Sequence, residues 1–142
     1  VLSLESQRLN GNLPKNIGNL TALEIIDLDY NEFVGTLPDT IYALEKLEQL
    51  DLNNNYFYGT INANIGDMLS LEFLQLHNNK FSGTFPRTLV FCPLAVAEFK
   101  NNDFVGHMPL CVGAPWQTVE AITCDCATGE VTCDIGCQCQ CF

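Results

Sequence analysis

Apolar residues recur along this chain in one spaced figure, not in continuous runs. In LEQLDLNNN, residues 47–55, Leu47, Leu50 and Leu52 hold alternating and near-alternating positions, and Glu48, Gln49, Asp51 and Asn53 fall between them. That alternation predicts a short strand with one face buried and the other in solvent. The figure repeats. Leu4, Leu28, Leu52 and Leu76 stand 24 residues apart, and Phe99 follows after a step of 23. Three residues beyond each of these comes Gln7, Asn31, Asn55, Asn79 or Asn102. Then come Leu9, Phe33, Phe57, Phe81 and Phe104, followed by Gly11, Gly35, Gly59, Gly83 and Gly106. Proline closes the segment at Pro14, Pro38, Pro86 and Pro109, with Asn62 as the exception. A period of that length predicts stacked coils before any local detail does.

Each position in the period has a physical reason. An asparagine at a strand end can satisfy backbone groups of the next turn with its amide, and copies stacked in register form a ladder. Glycine permits the bend that follows, and proline limits the short extended segment. A second apolar set, Ile17, Ile41, Ile65 and Leu89 with Leu20, Leu44 and Met68, covers the core from the far side. No coil buries its faces alone; each depends on its neighbours.

The pattern L-x-x-L-x-L-x-x-N-x-F-x-G-x-L-P-x-x-I-x-x-L is followed from Leu23 to Leu44 with an aliphatic residue at each leucine position. It resembles the plant-specific class of leucine-rich repeats, over residues 1 to about 112. The resemblance implies a curved α/β-type repeat solenoid with a parallel sheet on the concave side. It also implies a short second sheet where the Gly-x-Leu-Pro segments lie, and an irregular or 3-10 convex side. The expected organisation is a solenoid of about five repeats over 1–112 and a cysteine-rich cap over 113–142. Val1-Leu2-Ser3-Leu4 starts in mid-strand, so a longer parent chain is expected.

Cysteine adds a second theme. The closing stretch CDCATGEVTCDIGCQCQCF is similar to the ends of secreted leucine-rich repeat proteins of diatoms and related algae. The eight cysteines, an even number in an acidic chain, point to an oxidising compartment. Cys92 occupies the place held by Leu20, Leu44 and Met68, and Cys111 lies one repeat on, so a Cys92–Cys111 bridge between the last coils is expected. Cys124, Cys126, Cys133, Cys137, Cys139 and Cys141 leave three further bridges, whose pairing stays open. Thiolate spacings such as Cys-x-Cys also suit zinc or copper, but histidine ligands and Cys-x2-Cys pairs are missing, so a disulfide-bonded cap is preferred and no cofactor is expected. Asn19-Leu20-Thr21 makes Asn19 a glycosylation candidate.

Charge directs attention to one face. Seventeen acids against six bases leave a net charge of −11, which argues against nucleic acid and anionic membranes, and no stretch is apolar enough to span a bilayer. The repeat class implies that strand residues between the leucines line the concave face. That places Glu24, Glu48 and Glu72 in one column; Ile25 and Phe73 in the next; then Asp27, Asp51 and Glu98; then Glu5, Asp29, His77 and Lys100; and finally Tyr30, beside Asn54, Asn78 and Asn101. Strands about 4.8 Å apart bring these carboxylates close enough to raise one another's pKa. Such an arrangement costs stability, which favours a use for it over mere solubility.

Four functions are in view. The first is recognition of a protein or peptide bearing a basic patch, by a secreted or luminal, non-enzymatic module; Ile25, Tyr30 and Phe73 would serve as anchors. The second is a subunit of a larger assembly, docked through its open end around Leu2, Leu9 and Leu13. Ice binding through Thr36, Thr60 and Thr84, and inhibition of a secreted enzyme, complete the range that the resemblance implies. Calcium at Asp27, Asp29 and Asp51 lacks the loop signatures of known calcium motifs. His77 near Asp51 and Glu98 suggests a base with an orienting acid, yet no nucleophile sits beside it and His107 lies in a bend, so no enzyme is expected.

Overall fold

The computed structural model describes residues 1–109, 121–123 and 131–132. Each coil contributes one strand to each of two parallel sheets. The first sheet contains β1 (Leu2–Ser3), β3 (Ile25–Asp27), β5 (Gln49–Asp51), β7 (Phe73–Gln75), β9 (Val96–Glu98) and β11 (Ala121–Thr123), in that order. The second contains β2 (Asn10–Gly11), β4 (Glu32–Gly35), β6 (Tyr56–Gly59), β8 (Lys80–Thr84), β10 (Asp103–His107) and β12 (Val131–Thr132). Short 3-10 turns at Ile17–Asn19, Asp39–Ala43, Ala63–Asp67 and Arg87–Phe91 close the coils on the opposite side. The architecture is therefore a repeat solenoid, built as the period predicts.

The second sheet lies one step earlier than expected. Its strands run up to the glycine and stop there or just beyond, so the Leu-Pro part of each Gly-x-Leu-Pro segment follows the sheet instead of forming it. The reason is visible at Gly59, where φ is +87° and a Cβ would stand 2.8 Å from Thr36 Cγ2. The chain turns out of the sheet at that residue. In the first sheet, β11 extends the register of β9, pairing Ala121 with Val96 and Thr123 with Glu98. Both sheets thus continue into the stretch 113–142.

Between the sheets, Leu47, Leu50 and Leu52 are fully buried, as the alternation of their segment requires. Phe33, Phe57, Phe81 and Phe104 form one stack, with successive ring centroids 6.1, 6.1 and 6.2 Å apart. Beside it runs the asparagine ladder. Asn55 donates from Nδ2 to the carbonyls of Leu28, Leu52 and Asn53 and accepts the Phe33 N–H on Oδ1 at 3.0 Å. Asn31, Asn79 and Asn102 repeat these contacts one coil at a time.

One coil departs from the pattern, and a residue of the coil before it compensates. Asn62 stands where other coils have proline, which leaves a backbone N–H that proline lacks. The Tyr42 hydroxyl, 20 residues back on a buried ring, accepts that N–H at 3.1 Å. Asn62 also accepts the Asn64 N–H at 2.9 Å, capping its own 3-10 turn. Tyr42→Phe is expected to cost about 1 kcal/mol in chemical denaturation by orphaning the donor. Adding Asn62→Pro, which removes the donor, is expected to recover most of that loss; additive losses would contradict the pairing.

Candidate concave binding face

The register of the first sheet fixes the concave columns. Ile25, Gln49, Phe73 and Val96 pair across neighbouring strands, and so do Asp27, Asp51, Gln75 and Glu98, with Ser3 against Asp27. Glu48 N–H donates to the Glu24 carbonyl and Glu72 N–H to the Glu48 carbonyl, each at 2.8 Å, so the glutamates stack as well. Glu24, Glu48 and Glu72 are exposed, Tyr30 is 60% exposed and Phe73 36%, while Ile25 and His77 are half-buried. The strand register thus aligns Ile25 with Phe73 through Gln49, and Asp27 with Glu98 through Asp51 and Gln75.

Two of the polar residues do not face open solvent. Asp51 is 8% exposed and Asn53 3%. Neighbouring coils cover them, and they form a hydrogen-bonded floor beneath the charged rows. Asp51 Oδ1 accepts the Asn53 N–H at 3.1 Å, and Asn53 Oδ1 accepts the His77 N–H at 2.9 Å. This corrects the expectation that Asp51 presents its carboxylate to a partner.

Burial also changes the account of the acids. Asp51 has its pKa raised to about 6, first by burial and then by the charges of Asp27, Glu98 and Glu5, against a lowering from the Asn53 N–H. Asp29 is likewise raised to about 6, by burial first and by Asp51, Asp27 and Glu5 after it. Repulsion within the columns is real, but desolvation leads. Among the described residues, Glu5, Asp27 and Asp29 bring carboxylate oxygens within 4.8 Å of one another, so Glu5 takes the place expected for Asp51 in a cation-sized cluster. Asp29 Oδ1 is buried there without a hydrogen-bond partner.

His77 Nδ1 lies 2.9 Å from Glu98 Oε2, and Gln75 Nε2 donates to the same oxygen at 3.2 Å. Its expected neighbour Asp51 is a buried floor residue, and the acid that His77 meets is Glu98. Asn19 and Thr21 are exposed at the end of the first 3-10 turn. Cys92 is buried where Leu44 and Met68 sit in earlier coils, with Sγ 3.1 Å from the Ile65 carbonyl. Its expected bridge to Cys111, and Cys124, Cys126, Cys133, Cys137, Cys139 and Cys141, lie outside the described residues. Thr36, Thr60 and Thr84 are exposed, and the methyls of Thr36 and Thr60 lie over Gly59 and Gly83.

Residues 1–57 match one family described as leucine rich repeat, and residues 70–92 match a second of the same description. Its coils are leucine-rich repeats. Solved structures of plant leucine-rich repeat ectodomains share the fold. The ectodomain of the receptor kinase SOBIR1 from Arabidopsis thaliana is 26% identical, with a TM-score of 0.84, over 94% of this chain and 72% of that one. The plant peptide hormone receptor RGFR1, solved in complex with RGF2, is 27% identical with a TM-score of 0.75 over 82% of this chain. A plant ice-binding protein is 25% identical with a TM-score of 0.77 over 93% of this chain. The chain spans 19% of the length of RGFR1 and 41% of the ice-binding protein. No curated protein matches the sequence. Among the described residues, no helix of this leucine-rich repeat chain is long and apolar enough to cross a membrane.

Sequence reasoning missed the floor formed by Asp51 and Asn53. It also missed the backbone of the last column: Ser6, Tyr30, Asn54, Asn78 and Asn101 all have positive φ, from 48° to 57°. The signal for that was present in the run of asparagines, which tolerate the left-handed region best among residues with side chains.

Proposed function

We propose that these leucine-rich repeats form a non-enzymatic recognition module, secreted or luminal, that binds a basic protein or peptide through the concave face. The observation that carries this is the exposed glutamate column beside Phe73 and Tyr30, an acidic field with apolar anchors and Lys100 as its one base. Charge complementarity of that kind steers association and selects cationic partners. The similarity to a peptide-bound hormone receptor supports a peptide or protein as the partner class. The threonine row is a poorer case for ice, since Tyr56 and Tyr58, half-exposed on β6, interrupt a flat array.

The test uses the folded chain as bait in native extract at low and high salt. Glu48→Lys with Glu72→Lys is expected to cut capture about tenfold or more, because two like charges replace two attractive ones. High salt is expected to release the partner from the unaltered chain, since exposed charge pairs are screened. Asp103→Lys, on the second sheet, is expected to leave capture intact. Equal loss from both variants, or loss from neither, would overturn the proposal.

A further inference from the structure

The last concave column contains a ladder with one rung missing. Asn101 Nδ2 donates to Asn78 Oδ1, and Asn78 Nδ2 donates to Asn54 Oδ1 at 2.7 Å. The same direction requires an acceptor at position 30 for Asn54 Nδ2. Tyr30 stands there instead, and Asn54 Nδ2 is buried without a partner. Tyr30 also holds φ at +48°, a left-handed backbone that asparagine adopts readily and a bulky aromatic residue does not. Asparagine would therefore remove both local costs at once. The tyrosine leaves 60% of its surface exposed, so most of the ring is open to solvent and not spent on the core.

Strain held at an exposed residue, where the repeat itself displays the cheaper alternative, indicates a use outside the fold. Tyr30 follows directly in sequence on Asp29, a member of the close group of Glu5, Asp27 and Asp29. An aromatic face beside carboxylates suits a planar cation. Guanidinium stacks on an aromatic ring and pairs with a carboxylate in the same pose, whereas the ammonium of lysine is compact and strongly hydrated.

We propose that Tyr30 is the anchor of the concave face and takes the guanidinium of a partner's arginine against its ring, with Asp27 and Asp29 as counter-charge. This inference rests on the concave-face reading above. It makes the module a reader of arginine, not of positive charge in general.

The probes are acetyl-tetraarginine amide and acetyl-tetralysine amide, titrated into the intact chain at low ionic strength by calorimetry, with thermal melts alongside. The unaltered chain is expected to prefer the arginine peptide by about two- to fivefold, the size of an exposed cation–π contact. Tyr30→Asn is expected to abolish that preference and to raise Tm by completing the ladder. Tyr30→Phe keeps the ring and is expected to keep the preference. A Tyr30→Asn chain that melts higher and still prefers arginine would overturn the anchor role, and one that melts lower would overturn the strain behind it. Asp27→Asn with Asp29→Asn separates the two levels. If these substitutions weaken both peptides while Tyr30→Asn changes nothing, the acidic face stands and the anchor falls. If neither peptide binds the unaltered chain, both readings fall.

Discussion

Asn55→Ala is expected to cost about 3–4 kcal/mol of folding stability, measured as a shift in the denaturant midpoint at unchanged slope. The side chain is 5% exposed and serves four backbone groups from two neighbouring coils at once. Truncation leaves the Phe33 N–H and the carbonyls of Leu28, Leu52 and Asn53 with a small cavity in place of a partner. Each buried orphan costs roughly 1–3 kcal/mol, and the carbonyls that retain a sheet bond fall at the low end. Asn55→Asp is expected to be comparably harmful, because a carboxylate would face three carbonyl oxygens. By contrast, Asn54→Ala, one residue away, is expected to cost much less, since its donor lacks a partner and its oxygen accepts a single side-chain bond, from Asn78 Nδ2. Similar losses at 54 and 55 would show that the ladder does not carry the stability assigned to it.

The second large effect concerns pH, and its sign is opposite to ordinary acid denaturation. Burial pushes the Asp51 carboxyl up to about 6 in the folded chain, above the ordinary 3.8 that it regains on unfolding. The folded state therefore binds the proton more tightly. Its contribution is fully present below about pH 4 and is lost as pH rises through 6. Stability is expected to increase by about 1–2 kcal/mol from pH 7 to pH 4.5 on account of Asp51, with a smaller addition from the shallower Asp29 after solvent screening. Asp51→Asn is expected to raise stability at pH 7 and to flatten the profile, because an amide oxygen can still accept the Asn53 N–H. A profile that falls steadily from pH 7 to 4.5 would contradict the burial-led account of these acids. Binding of a cationic partner is expected to weaken over the same interval, so stability and capture should move in opposite directions.

Much of this was legible in the sequence because a 24-residue period reports the same constraint several times. Leu28, Leu52 and Leu76 had to share a face, and Asn31, Asn55 and Asn79 had to form a ladder, since no single coil can satisfy itself. What escaped was whatever depends on neighbouring coils pressing together. Asp51 alternates with buried leucines just as Asp27 does, yet Asp51, between Asp27 and Gln75, is buried, whereas Asp27, with the short Ser3 on one side, is half-buried. The exception at Asn62 was visible as a missing proline, but its explanation sits at Tyr42, on another coil. Tyr30 looked like one exposed aromatic among several. Only the left-handed backbone and the orphaned Asn54 amide mark it as costly.

The most direct test of the concave face is a map of where a cationic ligand lands. Backbone amide shifts of the isotope-labelled chain, followed during titration with acetyl-tetraarginine amide, report each strand separately. The account predicts perturbations concentrated at residues 25–30, 49–54 and 73–78, fading as salt is added. Perturbations centred on the 3-10 turns or on β4, β6 and β8, with the concave strands unmoved, would contradict it.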